Sequence, residues 1–307
     1  MDNITCYDEF QIVPFNASAK NKPIIISIFF FLYLFGNISN ISIITVICIN
    51  EHLHIPMYLF LCNLALIDVM FPTTTVPLLL YMLLSGNNKV SFNQCFTQLY
   101  FFIVAASSEA VLLVIMAYDR YIAICKPLHY HNVLSRRNCT KFILISWTVG
   151  NMNAIELTST ASAMSFCNSN IINQYFCEPK ALIKAASAHS DIFYDAIYAD
   201  FFFLGLWPLL GCLTSYAKVI SVILSIKSKE GRQKAFSTCS SHLTIIIIYY
   251  GSSALNFLLS STEYFLFQEQ LITALYANIP PMINPLIYSL RSKELKEAMQ
   301  KIFKSIA

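Results

Sequence analysis

The sequence predicts an all-α membrane protein: a seven-transmembrane helix bundle with a short amphipathic cytoplasmic helix after the last span. Three observations carry this expectation. Of the 307 residues, 56% are hydrophobic and only 12% charged. The apolar residues fall in long blocks, and the first, residues 24–49, contains no Asp, Glu, Lys or Arg; a helix of about 20 such residues crosses the ~30 Å core of a bilayer. Six further blocks, near 55–84, 95–118, 142–164, 192–217, 235–260 and 271–290, lack Lys and Arg and hold at most one or two acidic residues each. Because such spans bury their polar positions only against one another, the chain reads as one domain, residues 24–290. Residues 1–23 form an extracellular N-terminus, and 291–307 a cytoplasmic amphipathic helix and tail.

The N-terminal segment carries two acceptor sequons, Asn3-Ile4-Thr5 and Asn16-Ala17-Ser18, which suit glycosylation on an outer face. The first block starts late and is too long for a cleavable signal peptide, so it is expected to serve as an uncleaved anchor. Pro72, Pro77 and Pro208 fall inside the second and fifth blocks. They should kink these helices rather than end them, since backbone groups in lipid must be satisfied within the segment. All but five of the 20 Lys and Arg fall on the side opposite the N-terminus, the exceptions being Lys20, Lys22, Lys89, Lys180 and Lys184. The positive-inside rule then sets the N-terminus outside and the C-terminus in the cytoplasm of a multi-pass plasma-membrane protein. The net charge of +3 is this asymmetry and not a nucleic-acid footprint.

Two connections stand out. The outer one, about 165–191, is long enough to fold over the mouth of the bundle. The inner one, about 218–235, is basic and expected to be partly helical. After the last block, Leu295, Met299, Ile302, Phe303 and Ile306 form one apolar stripe between lysines, the pattern of a helix lying on the inner leaflet. Of ten cysteines, Cys6, Cys95, Cys167 and Cys177 face the oxidising side, and four cysteines allow three pairings.

Two motifs carry chemistry. The third span ends MAYDRYIAIC, where Asp119 and Arg120 can close on each other as a partly desolvated ion pair whose opening frees Arg120. The seventh ends PMINPLIYSL, where Pro285 removes a backbone donor and Asn284 can reach the weak point, making a hinge. Together with LHIPMYLFL (53–61), KPLHY (126–130), Ser215-Tyr216 and KAFSTCSSHL (234–243), this set in this order resembles the odorant-receptor branch of the rhodopsin-like (class A) G-protein-coupled receptors, from Gly36-Asn37 to Arg291. The resemblance implies a receptor that binds a small-molecule odorant in the outer half of the bundle. It also implies activation of a heterotrimeric G protein of the olfactory stimulatory type, raising cAMP. By the same resemblance Asp119, Arg120, Tyr216, Asn284, Pro285 and Tyr288 form the coupling switch, Tyr250 the aromatic base of the pocket, and Cys95–Cys177 the disulfide that ties the third helix to the outer loop. The family's second loop disulfide would join Cys167 to the position of Ser187, so Cys167 is either free or paired with Cys6.

Intramembrane carboxylates are costly and mark functional candidates. At ~1.5 Å per residue, Glu109, Asp68, Asn37 and Asn284 converge near the midplane. Two carboxylates there need a cation or a shared proton: either a sodium- or proton-occupied cluster, or one carboxyl permanently protonated and simply hydrogen-bonded. No other cofactor or metal is expected. The ligand site is expected among Phe102, Ile103, Ala106, Tyr198, Phe201, Leu204, Tyr250, Ser253, Ala254 and Phe257, a largely apolar set suited to a small ligand. Asp200 should point inward at the same depth, facing either a hydrogen-bond donor on the ligand or a partner within the bundle. Asp191 and Asp195 read as solvated, and Glu156 as bonded to a neighbouring helix. No HExxH or GxSxG pattern supports an enzyme, and residues 271–290 lack the Lys a retinal pigment needs.

Overall fold

The computed structural model describes residues 7–15, 21–187, 191–258, 266–291, 294–298 and 300. In chain order the elements are β1 (Glu9–Ile12), α1 (Lys22–Ile49), α2 (Pro56–Ser85), β2 (Lys89–Ser91), α3 (Phe92–Cys125), α4 (Tyr130–Val133), α5 (Arg136–Ser162), β3 (Ile171–Ile172), α6 (Pro179–Ala185), α7 (Asp191–Asp200), α8 (Trp207–Ser225), α9 (Lys229–Leu258) and α10 (Leu266–Arg291). A π-helical stretch, Phe201–Leu206, joins α7 to α8 as one rod. With α1, α2, α3, α5, α9 and α10 that rod gives the seven helices expected from the apolar blocks, a helical membrane bundle. Among the described residues, α1, α2, α3 and the 191–225 rod are long and apolar enough to cross a membrane by length and composition alone. Their outer walls carry bare side chains such as Phe31 (65% exposed) and Leu84 (71%), as a surface facing lipid tails allows. The basic connector expected near 218–235 is mostly helix: α8 continues to Ser225 and α9 starts at Lys229, so both rods run past their apolar blocks.

α3 is the axis of the bundle. It begins at a capping box in which Ser91 and Gln94 satisfy each other's backbone N–H, and its buried face continues from Cys95 to Ile122. α5 lies close against it at Gly150, where an added Cβ would stand 2.1 Å from Ser108 Oγ and 2.9 Å from the Val104 carbonyl. Pro72 and Pro77 stay within a continuous α2, which ends where Gly86 takes φ +72°, the left-handed cap that glycine adopts without penalty. In α10, Pro285 cannot donate to the carbonyl four residues back, that of Pro281. Asn40, 1% exposed, fills the gap from α1 by donating to Pro281 O at 2.8 Å.

The outer end is capped by a small sheet of order β2-β1-β3, antiparallel on one side and parallel on the other. Phe10, fully buried, packs on Phe92, Phe96 and Phe166. At the inner end, residues 294–298 are helical. Leu295 is buried, and Tyr58 of α2 donates to Glu294 Oε2 at 3.0 Å. The rest of the expected stripe, Met299, Ile302, Phe303 and Ile306, lies outside the described residues, as do Asn3, Asn16 and Cys6.

Candidate functional site

The Cys95–Cys177 disulfide is present, with Cα atoms 5.4 Å apart. It draws the outer loop down onto α3, so that Glu178, Pro179 and Lys180 form one wall of a cavity of about 170 Å³. The remaining walls come from α3, α5, the 191–225 rod, α9 and α10. Of the expected ligand residues, Phe102, Ile103, Ala106, Asp200, Phe201, Leu204, Tyr250 and Ser253 line it. Two do not. Tyr198 is 62% exposed, and Ala254 is exposed on the outer side of α9; the Phe257 side chain lies outside the described residues. Ile197, Phe201 and Gly205 reach the cavity at steps of four, and Tyr198, next to Ile197 on α7, faces away from it. On α9 the inward face is Tyr249, Tyr250, Ser253 and Asn256, one position round from the face that takes in Ala254. Sequence reasoning also missed Ser107 and Tyr276. Ser107 lies one α-helical turn from Ile103, a period that would have found it.

The polar chemistry is concentrated. Asp200 Oδ1 accepts from Asn153 Nδ2 at 2.7 Å, and the same amide donates to Ser107 Oγ at 2.8 Å. Asp200 thus has a partner in the bundle and also borders the cavity. Above it, Glu178 accepts from Gln174 Nε2 at 3.0 Å and Asn256 Nδ2 at 3.2 Å, while Lys180 Nζ donates to Asn256 O at 2.8 Å. Burial pushes the Glu178 carboxyl up, against the pull of Lys180. Burial likewise pushes the Lys180 ammonium down, against the pull of Glu178. Glu156 is exposed, and its side chain makes no hydrogen bond among the described residues. This corrects the expected interhelical bond, because its position on α5 faces away from α3. Asp191 and Asp195 are exposed, as expected.

Below the cavity lies the midplane cluster. Asn284 Nδ2 donates to both Asp68 oxygens, at 3.1 and 3.0 Å, and Glu109 is within electrostatic reach of Asp68. Asp68, Glu109 and Asn284 are each 1% exposed. Glu109 Oε1 and Asn284 Oδ1 are buried acceptors without a hydrogen-bond partner among the described residues, where buried polar atoms are ordinarily paired. Asn37 does not join by a hydrogen bond: its amide donates to Tyr33 O of its own helix at 3.0 Å. The α1 asparagine that crosses to another helix is Asn40, one turn on. No group of three His, Cys, Asp or Glu with metal-ligand placement occurs among the described residues.

At the end of α3 opposite the disulfide, Arg120 is paired with Asp119, both buried. Tyr130 Oη, from α4, donates to Asp119 Oδ1 at 3.0 Å. Tyr216 Oη lies 2.8 Å from His242 Nδ1, bridging α8 to α9, and Tyr288 Oη is buried without a hydrogen-bond partner among the described residues. Pro285 stands beside Asn284 at the backbone gap that Asn40 closes. The Tyr130 and His242 contacts were missed as site residues, although both residues fall within the quoted motifs KPLHY and KAFSTCSSHL.

The chain has extensive relatives among known proteins. Residues 29–305 match the family model described as "Olfactory receptor". The chain is 36% identical over 300 residues to olfactory receptor 1C1 of Homo sapiens, covering 98% of this chain and 96% of that one. It is 37% identical over 299 residues to olfactory receptor 1A1 of Pan troglodytes, covering 96% and 95%. It is 39% identical over 302 residues to olfactory receptor 5F1 of Homo sapiens, covering 98% and 96%.

Proposed function

Since the chain belongs to the olfactory receptor family, and so is a multi-pass odorant receptor that signals through a G protein and not an enzyme, we propose that its odorant sits in the cavity beneath Glu178 and is read by Asp200. The observation that carries this is a cavity of about 170 Å³ with aromatic and aliphatic walls and a carboxylate on its border. A cavity of ~150 Å³ holds a molecule the size of benzene, so the ligand is small, with an apolar body. A hydroxyl or amine on it would donate to Asp200. Phe102, Ile103, Ala106, Phe201, Leu204 and Tyr250 supply the apolar and aromatic contact, and Ser253 a hydroxyl.

On the cytoplasmic side the partner is a heterotrimeric G protein of the olfactory stimulatory type, and the output is a rise in cAMP. Opening of the Asp119–Arg120 pair, with displacement of Tyr216 and Tyr288, exposes its binding cleft. The protein works in the plasma membrane with its N-terminus outside, glycosylated at Asn3 and Asn16. Asp68, Glu109 and Asn284 hold a sodium ion or a shared proton in the resting state; the two unpartnered acceptors support this. Its test is Asp68→Asn, which should remove the sodium and pH dependence of signalling. An unchanged dependence would leave a permanently protonated carboxyl as the explanation. The ligand reading is tested by screening odorants and small metabolites with a cAMP reporter, then repeating each active compound on Phe102→Ala and Ser253→Ala receptors. Agonists indifferent to both substitutions at equal surface expression would place the site elsewhere.

A further inference from the structure

Given the cavity as the odorant site, on which this rests, we infer that the Lys180 amine, with the Glu178 carboxyl beside it, forms a reversible imine with a small aldehyde held there. Lys180 and Glu178 both line the cavity, and so does Asn256, the residue that joins them. Lys180 Nζ donates to the Asn256 carbonyl at 2.8 Å, and Asn256 Nδ2 donates to the Glu178 carboxyl at 3.2 Å. One residue of α9 thus holds an amine and a carboxyl together at the rim of a largely apolar space. Among the described residues no other Lys or Arg borders that space. The loop that carries the pair is fastened: Cys177 is bonded to Cys95, and Cys167 is also disulfide-bonded.

The surroundings select a neutral carbonyl compound. A carboxylic acid would meet Glu178 and Asp200, two carboxyl groups against one amine; an aldehyde meets no such opposition. The cavity of about 170 Å³ is little larger than the ~150 Å³ that holds benzene, so the ligand is a ring-sized body bearing a formyl group. A hydroxyl on the same body can still donate to Asp200. Lys180 is half-buried. Burial lowers its ammonium below the ordinary 10.5, against Glu178 and Glu269 and with Lys184, which leaves more of the amine unprotonated and nucleophilic than at an exposed lysine. Glu178 is buried, which raises its carboxyl above the ordinary 4.5 and suits it to give and recover a proton near neutral pH.

The step balances without an oxidant or reductant. The Lys180 nitrogen attacks the carbonyl carbon, and the carbonyl electron pair passes to oxygen. Glu178 gives that oxygen a proton and recovers one from the nitrogen, making a carbinolamine. The same exchange repeated releases the hydroxyl as water and returns the second nitrogen proton to Glu178. Amine and aldehyde have become imine and water, and water reverses the reaction.

The test reads chemistry and not signalling. Full-length receptor in lipid nanodiscs is held at neutral pH with benzaldehyde and sodium cyanoborohydride, which reduces an imine to a stable secondary amine. Mass spectrometry then follows the N-benzyl group at each lysine. Lys180 should be benzylated about tenfold faster than Lys89 and Lys184, whose side chains are 67% and 55% exposed, because the aldehyde is held beside it. Excess benzyl alcohol, the same ring without a carbonyl, should protect Lys180 and leave Lys89 and Lys184 as before. Benzylation of Lys180 no faster than of Lys89, or indifferent to benzyl alcohol, would overturn the imine. Selective benzylation of Lys180 in a receptor whose agonists ignore Phe102→Ala and Ser253→Ala would instead strike the ligand reading and leave the imine standing.

Discussion

Tyr130→Phe should make the receptor signal without ligand. The hydroxyl lost in this substitution donates to Asp119 Oδ1 at 3.0 Å, and Asp119 is the residue that keeps Arg120 closed. Burial, and then the charge of Asp119, pushes the Tyr130 phenol up from its ordinary value, so it is a neutral donor at every physiological pH. A hydrogen bond to a charged acceptor contributes ~1.5–3 kcal/mol net, and the low end applies because Tyr130 is half-buried. Release of Arg120 breaks this arrangement, so the bond stabilises the resting state and not the signalling one. Losing ~1.5 kcal/mol of that bias multiplies the ratio of signalling to resting receptors about tenfold. A resting population with about 1% active would become one with about 10% active. The assay is basal cAMP per surface receptor, measured by flow cytometry on tagged protein in the same cells. A basal signal within about twofold of the parent, a change worth only ~0.4 kcal/mol, would show that α4 does not hold the switch.

Three further outcomes are expected. Asp200→Asn should weaken agonists bearing an amine or hydroxyl by about 10- to 100-fold, the loss of a ~1.5–3 kcal/mol charged hydrogen bond, and spare agonists without a donor; equal loss for both classes in the cAMP reporter would refute a direct contact. Gly150→Ala should cost about 1–3 kcal/mol through overpacking, because the Val104 carbonyl at 2.9 Å from the new Cβ is backbone and cannot rotate away; an unchanged melting temperature in detergent would contradict the close α3–α5 approach. Glu178 gives a pH dependence: its carboxyl is raised by burial above the ordinary 4.5, with Lys180 opposing and Glu269 reinforcing the shift. Between 4.5 and the raised value the folded receptor holds more protons than the unfolded chain, so stability grows as pH falls through that window and is lost as pH climbs through it. Glu178→Gln should shrink the gain in melting temperature on acidification, and an identical slope in the two proteins would refute it.

Seven spans were legible because a bilayer imposes a strict rule on composition: twenty residues without charge leave no other structure available. The chemistry at the ends of α3 and α10 was legible for a similar reason, since Asp119, Arg120, Asn284 and Pro285 are costly residues in such places. Rotation about a helix axis was less so. Tyr198 and Ala254 each sit one position from a residue that does reach the cavity, Ile197 and Ser253, a rotation that composition does not fix. The choice between Asn37 and Asn40 failed on the same ground, because it depends on which carbonyl of α10 is left without a donor and where α1 crosses it. The outer cap was invisible. Pairing of Gln11 with Lys89 and with Ile171 joins segments far apart in sequence, and strands this short carry no periodic signal. Glu178 and Lys180 are brought to the cavity beside Cys177; the loop was expected over the mouth, but its path down from the disulfide has no periodic signal to follow.

α9 is the element that lets a small ligand bias a distant switch. Tyr249, Tyr250 and Ser253 border the cavity, and about 12 Å further along the same rod, at ~1.5 Å per residue, His242 meets Tyr216. Tyr249 also pins α9 to α3, donating to Ala106 O at 2.9 Å, whereas Tyr250 Oη is buried with no hydrogen-bond partner among the described residues. A helix pinned at one tyrosine and unsatisfied at the next has a second arrangement to gain. A ligand that fills about 170 Å³ brings few atoms, each contributing at most ~1.5 kcal/mol, and only the part that differs between the two arrangements moves the equilibrium. Moving the population from 1:99 to 99:1 needs ~5.5 kcal/mol of such difference, a large share of what so small a molecule can supply. The receptor therefore must rest close to its switching point, held by contacts of single-bond size such as Tyr130–Asp119 and not by a deep lock.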